Sequence, residues 1–315
     1  MSVWEFGMHK WNIAVVGIVV LLVSTVSCSR EEASLSVAYQ NRVGDTLMIL
    51  TAQELSDAQE MHFTKFSSGS MTAEALLSGD ADVATMGDAA AVALVARYPE
   101  LVTIVAIHGE GAFRHRLVSH EGGSIKRVGV AYGTSTHAAL SAYMDSHADY
   151  HDIELVNLSP DLQIEALASG EIDAFAASEP TPTIALERLN GLEAIPIEIQ
   201  GRTFPLALVV RKDALEHKTK LLAKLYGTLE QSAKTFESSG SPDRKSIQYL
   251  TEATGLPERV LLESLTLHAF AVRDPLSYEQ EFESLAEFLK EQGKIPLIPN
   301  WNEVFTSASQ AGLVQ

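Results

Sequence analysis

A chain of 315 residues, 46% hydrophobic and 20% charged, carries enough apolar material for one large or two medium globular domains with real cores. Its formal net charge of −18 argues against nucleic acid and against anionic lipid surfaces as partners. The single cysteine, Cys28, excludes a disulfide framework and any cysteine-built metal site.

Ile13 to Val23 is an unbroken apolar run preceded by Lys10, whose charge Glu5 opposes. The run falls short of the ~20 apolar residues of a membrane span and suits the hydrophobic region of an export signal. The small residues Ser24 to Ser27 leading into Cys28 resemble a bacterial lipoprotein cleavage site, although Thr25 stands where such sites usually carry Leu. Residues 1–27 are expected to be the signal peptide, with Cys28 lipidated and 28–34 a polar tether. The rest of the chain then works outside the cytoplasm, periplasmic or at the cell surface. The alternative is a retained N-terminal anchor.

Short apolar runs alternate with helical patterns from there on. Strands are expected at 35–39, 61–66, 82–85 and 101–107, then at 127–131, 153–157 and 173–177, nearly all followed by helices. That alternation predicts an α/β protein with mostly parallel sheets, in which ligands bind beyond the carboxyl ends of the strands. The unusual turns lie at those ends: Gln40 after the first strand, Ser68-Gly69-Ser70 after the second, and Gly87-Asp88 after the third. Gly133-Thr134-Ser135-Thr136-His137 and Ser178-Glu179-Pro180 follow two later strands.

The turn at Gly133–His137 opens a helix, where unpaired N–H groups and the positive end of the dipole favour an anion. Its competing role is simple helix capping by Thr134 or Ser135. Asp88 likewise reads as a helix cap. The phrase Ala-Leu-x-Ser-Gly-x-x-Asp, at 75–82 and again at 166–173, predicts a helix ended by a left-handed glycine and an acid opening the next buried strand. The histidines, among them His108, His115 and His120, show no metal-ligand spacing, and no metal or cofactor is expected. Arg114 and Arg116 flank the expected crossover and read as a solvated hinge; the alternative is that they reach an anionic ligand.

Ser68-Gly69-Ser70 with the 73–83 segment, the Gly133–His137 turn, 154–160, 166–174, Leu208–Asp213 and Phe288–Pro296 together resemble the substrate-binding proteins of ABC importers, in the nitrate, sulfonate and taurine group. The resemblance runs from about Leu35 to the C-terminus. It implies a type II periplasmic binding protein fold: lobe 1 at 29–120 plus 203–315, lobe 2 at 121–202, and two hinge crossovers closing on a small solute. Partners implied are that solute, an ABC permease and its ATPase, with the chain itself a monomer. Carried over to this sequence, Gln40, Ser68, Gly69, Ser70, Gly87 and Asp88 face the ligand from lobe 1, and Thr134, Ser135, Thr136 and His137 from lobe 2. Glu179 is expected to take an ammonium group, or else to be a first-turn acid of the following helix. Aliphatic sulfonates, taurine and nitrate are the expected ligand class; a cationic or pyrimidine-type solute is the alternative. A sensory binding protein and an enzyme on the same fold also stand open. The pyrimidine-forming enzymes that resemble this group carry a cysteine-rich motif which a chain with only Cys28 lacks, and no nucleophile-turn signature is present.

Overall fold

In the computed structural model, residues 34–147, 150, 152–239 and 242–314 are described. The expected signal peptide 1–27, Cys28 and all of the tether except Ser34 lie outside the described residues. The first half of the chain runs β1 (Leu35–Gln40), α1 (Thr46–Glu54), β2 (Met61–Phe66), α2 (Gly69–Ser78), β3 (Val83–Gly87), α3 (Asp88–Arg97) and β4 (Val102–Gly109). It continues with β5 (His115–His120), β6 (Arg127–Val130), α4 (Ser135–Ser146), β7 (Glu154–Asn157), α5 (Pro160–Ser169), β8 (Ala174–Ser178), α6 (Thr181–Arg188) and β9 (Leu192–Pro196). The last part is β10 (Leu206–Arg211), α7 (Lys212–His217), α8 (Thr219–Ser239), α9 (Arg244–Thr254), α10 (Glu258–Thr266), α11 (Glu279–Glu291) and α12 (Trp301–Val304).

These strands build two five-stranded sheets, ordered β2-β1-β3-β10-β4 and β7-β6-β8-β5-β9. In each sheet one strand, β10 or β5, runs antiparallel between its two neighbours, and the rest are parallel. Both faces of each sheet are covered, which explains the continuous apolar runs. Along β10, Ala207 and Val209 point into the layer holding Met86, Phe282 and Trp301, whereas Leu208 and Val210 enter the layer holding Leu47, Met48 and Leu229. Ala174 and Ala176 of β8 join Leu117 and Val130 on one face, while Phe175 and Ala177 join Val118 and Ile164 on the other.

The repeated phrase plays the same part in both lobes. Gly79 and Gly170 end α2 and α5 with φ of 82° and 76°, in the left-handed region that a side chain would strain. Three residues on, Asp82 accepts the N–H of Ser36 at 2.8 Å, and Asp173 accepts those of Lys126 and Arg127 at 3.0 and 2.8 Å. Each acid thus fixes the start of the neighbouring strand.

One boundary differs from the sequence expectation. Strand β5, placed in lobe 1 by a boundary at 121, pairs with β8 and β9 in the second sheet. The first crossover is therefore the segment before His115. It lies against the second crossover, where the Gly111 N–H donates to the Thr203 carbonyl at 2.7 Å. Arg114 is not a solvated hinge residue as expected, but only 8% exposed.

Candidate functional site

The carboxyl ends of both sheets face a cavity of about 430 Å³. Its lobe 1 wall takes in Gln40, Asp45, Ser68, Gly69, Ser70 and Gly87. Ser68 is the N-cap of α2, accepting the Met71 N–H at 3.4 Å, and its hydroxyl lies 3.0 Å from that of Ser70. Gly69 has no room for a side chain, since a Cβ there would stand 3.2 Å from both Met86 and Ala90.

The lobe 2 wall takes in Gly133 to Thr136, Ser178 and Glu179. The three hydroxyls are each engaged. Thr134 is the N-cap of α4, accepting the His137 N–H at 3.2 Å. The Ser135 hydroxyl donates to Asp88 of lobe 1, and Thr136 lies 2.7 Å from His115 Nδ1. What the turn offers a ligand is its first backbone N–H groups, which have no acceptor inside the helix. His137 does not line the cavity: its ring stacks on Tyr132 at 4.6 Å and meets Phe288 edge-on at 5.2 Å.

Two acids depart from expectation. Glu179 is neither a free acceptor nor a first-turn helix acid. Its Oε1 accepts from Arg116 at 3.1 Å and its Oε2 from the Ser264 hydroxyl of α10 at 3.1 Å. Asp88 is buried behind the cavity wall, where its Oδ1 takes the Ala89 N–H and the Ser135 hydroxyl. The Arg202 guanidinium lies 3.7 Å from its other oxygen.

Groups that sequence reading did not select complete the site. Arg114 lines the cavity with its Nε buried and unpartnered, while one terminal nitrogen donates to the Phe204 carbonyl at 3.2 Å. Burial lowers its pKa, and the nearby Asp88 and Asp45 oppose that shift. His115 Nε2 and Gln163 Oε1 are also buried without partners at the cavity. Burial, reinforced by Arg114, keeps His115 neutral. Asp45, 1% exposed, has an unpartnered Oδ1 and is pushed up to about 7 by burial.

The lobes meet around the cavity. Besides the Ser135–Asp88 and Ser264–Glu179 bonds, Arg259 of α10 pairs with Glu187 of α6, and Gly133 packs on the Lys294 stem. Two lobes joined at Gly111–Thr203 thus enclose a cavity whose wall carries polar groups without protein partners. The chain is 27% identical to the taurine-binding periplasmic protein of Escherichia coli K12 over 256 residues, 75% of this chain and 79% of that one. Its fold is similar to the periplasmic aliphatic sulphonate binding protein SsuA from Escherichia coli, with a TM-score of 0.76, 18% identity, and coverage of 87% and 92%. The chain is similar to periplasmic binding proteins of the sulfonate and taurine type.

A second structure, the alkanesulfonate-binding protein SsuA of Xanthomonas axonopodis pv. citri bound to MOPS, has a TM-score of 0.71 at 20% identity, covering 88% and 99%. No family model matches the chain. Among the described residues no helix is long and apolar enough to cross a membrane. The sequence places Arg114 beside a crossover but does not fix it in the cavity wall, because the strand that follows it, β5, His-Arg-Leu-Val-Ser-His, has too few apolar residues to announce itself. Asp45 was hidden because an Asp directly before a helix reads as a cap, yet its side chain makes no cap hydrogen bond.

Proposed function

We propose that this binding protein captures a small anionic or zwitterionic solute of the aliphatic sulfonate, taurine and nitrate class and presents it to an ABC permease and its ATPase. The observation that carries this reading is Arg114. A guanidinium buried at the cavity with an unpartnered Nε asks for an anion, because an unsatisfied buried charge is costly. The start of α4 adds two unpaired N–H donors and the positive end of its dipole. Gly69 and Gly87 let the backbone of lobe 1 approach from the other side. Transport by a clamp needs no catalytic group, and the polar groups of the cavity serve recognition.

Calorimetry on the soluble chain beginning after Cys28 tests this, with propane-1-sulfonate and nitrate as probes. Wild-type protein is expected to bind at micromolar concentration or better. Arg114→Gln should weaken binding by about 2–5 kcal/mol, the usual cost of truncating one partner of a buried charged hydrogen bond. Arg114→Lys, which keeps the charge but loses the planar fork, should fall between the two. An unchanged affinity in Arg114→Gln, with the protein folded, would sink the reading.

The full-length chain is proposed to be a monomer held to the membrane by a lipid on Cys28, in the exported form beginning at that residue. Palmitate labelling of expressing cells should mark the wild type, and Cys28→Ser should lose the label and move to the soluble fraction. A soluble, unlabelled wild type rules the anchor out.

A further inference from the structure

We propose that the Asp45 carboxylate is a cation-accepting subsite of the same cavity, taking the ammonium end of a zwitterionic solute whose anionic end lies toward Arg114 and the start of α4. This rests on the anion-binding reading above and adds a second pole to it.

Asp45 stands at the N-cap position of α1, where an Asp ordinarily turns its carboxylate onto the helix N–H groups, but it makes no such bond. Its side chain instead lines the cavity. Oδ2 accepts from Gln40 Nε2 at 3.2 Å, whereas Oδ1 is buried with no hydrogen bond. His108 Nε2, 3.6 Å from Oδ1, is beyond hydrogen-bond reach. A second acceptor belongs to the same wall. His268 Nδ1 is 2.8 Å from the Ser264 carbonyl, which can only accept, so the proton sits on Nδ1 and Nε2 is left bare. That bare nitrogen lies 3.8 Å from where a Cβ on Gly44 would stand, next to Asp45. An ammonium brings several N–H donors to such a pair of acceptors, which a plain anion cannot satisfy. Glu179, the other acid at the cavity, already has both oxygens occupied.

The charged and titratable groups around Asp45 are Arg42 of its own loop, Arg114 of the crossover, His108 of β4, Tyr39 of β1 and, on the same cavity wall, His268, which burial lowers to about 4. Burial holds His108 neutral, down at about 3, and raises Tyr39 to about 12. Burial likewise raises Asp45 to about 7, against the opposing pull of the Thr85 hydroxyl first, then of Arg42, Gln40 and Arg114. An arriving cation favours the ionised carboxylate, so capture of an aminosulfonate should expel a proton near neutral pH, and capture of a plain sulfonate should not.

The test is calorimetry with 2-aminoethanesulfonate and its methyl isostere, propane-1-sulfonate, on wild type and Asp45→Asn. Wild type should prefer the amino compound. Asp45→Asn should lose tenfold or more in affinity for the amino compound and leave propane-1-sulfonate unchanged or tighter. On wild type alone, binding in weakly buffered solution at pH 6.5 should release protons, read with a pH electrode, for the amino compound only, which tests the proposal even if the variant does not fold. Equal losses for both probes in the variant, or no wild-type preference and no proton release, would overturn the Asp45 subsite while leaving the anion site standing. A wild type that binds neither sulfonate overturns both.

Discussion

Two acidic corners border the same cavity, and their surroundings differ. At the end of β8 in lobe 2, Glu179 is held by Arg116 and by the Ser264 hydroxyl, so its charge is fully answered within the protein. At the turn before α1 in lobe 1, Asp45 has one oxygen on a neutral amide and no charged partner at the other, which has only the Thr85 hydroxyl and neutral His108 nearby. Burial is nearly equal at the two, 3% and 1% exposed, so accessibility does not separate a structural acid from a recognition acid. The deciding property is whether the protein supplies the partner. A buried carboxylate with its own arginine stabilises a strand end, and one without is completed by something that arrives.

The contrast can be broken most forcefully at Glu179. Glu179→Gln leaves the Arg116 guanidinium without its counter-charge and should cost about 3 kcal/mol of stability, the low end for breaking a buried pair because Arg116 retains some solvent. Thermal unfolding reads that loss, while the ratio of aminosulfonate to alkanesulfonate affinity should not move. A selective loss of aminosulfonate binding with an unchanged melting temperature would exchange the roles of the two acids.

Asp45 should show the opposite signature in the unliganded protein. Its pKa is raised from 3.8 to about 7, so the folded state binds a proton more tightly than the unfolded chain. The stability this gives is complete below about pH 4 and is lost as pH climbs through 7. Asp45→Asn removes that dependence. The wild type should therefore lose up to about 4 kcal/mol relative to the variant between pH 4 and pH 8, the equivalent of a three-unit shift. Parallel stability curves for the two proteins would contradict this.

Smaller effects sharpen the same division on the other wall. Ser135→Ala removes a hydrogen bond to a carboxylate that joins the lobes, and should weaken every solute alike by about 1.5–3 kcal/mol in calorimetry. Thr134→Ala removes only a cap, and should cost about 1 kcal/mol of unfolding free energy with the solute preference untouched.

The two-lobed α/β plan was legible because both faces of its central strands are buried, which writes uninterrupted apolar runs such as Leu208–Val210 and Ala174–Ala177. The repeated glycine and aspartate were legible because left-handed caps and strand-start acceptors are local devices. Strand β5 was not, since four of its six residues are polar. The Arg116–Glu179 pair was not either: its members lie 63 positions apart and meet through the antiparallel register of β5 on β8. The hydroxyl turn could be placed from sequence, but not the fact that each hydroxyl would be engaged by a protein partner. That depends on Asp88 and His115 arriving from elsewhere in the chain.

The Ser135–Asp88 bond joins residues of opposite lobes at the edge of the cavity, and so exists only while the lobes touch. It enters the kinetics of release rather than of encounter. Each opening must break it, whatever is inside, so it lengthens the residence time of every captured molecule by a common factor. Discrimination between solutes then has to come from the cavity groups themselves, and the receptor holds a poor solute and a good one against the same mechanical latch.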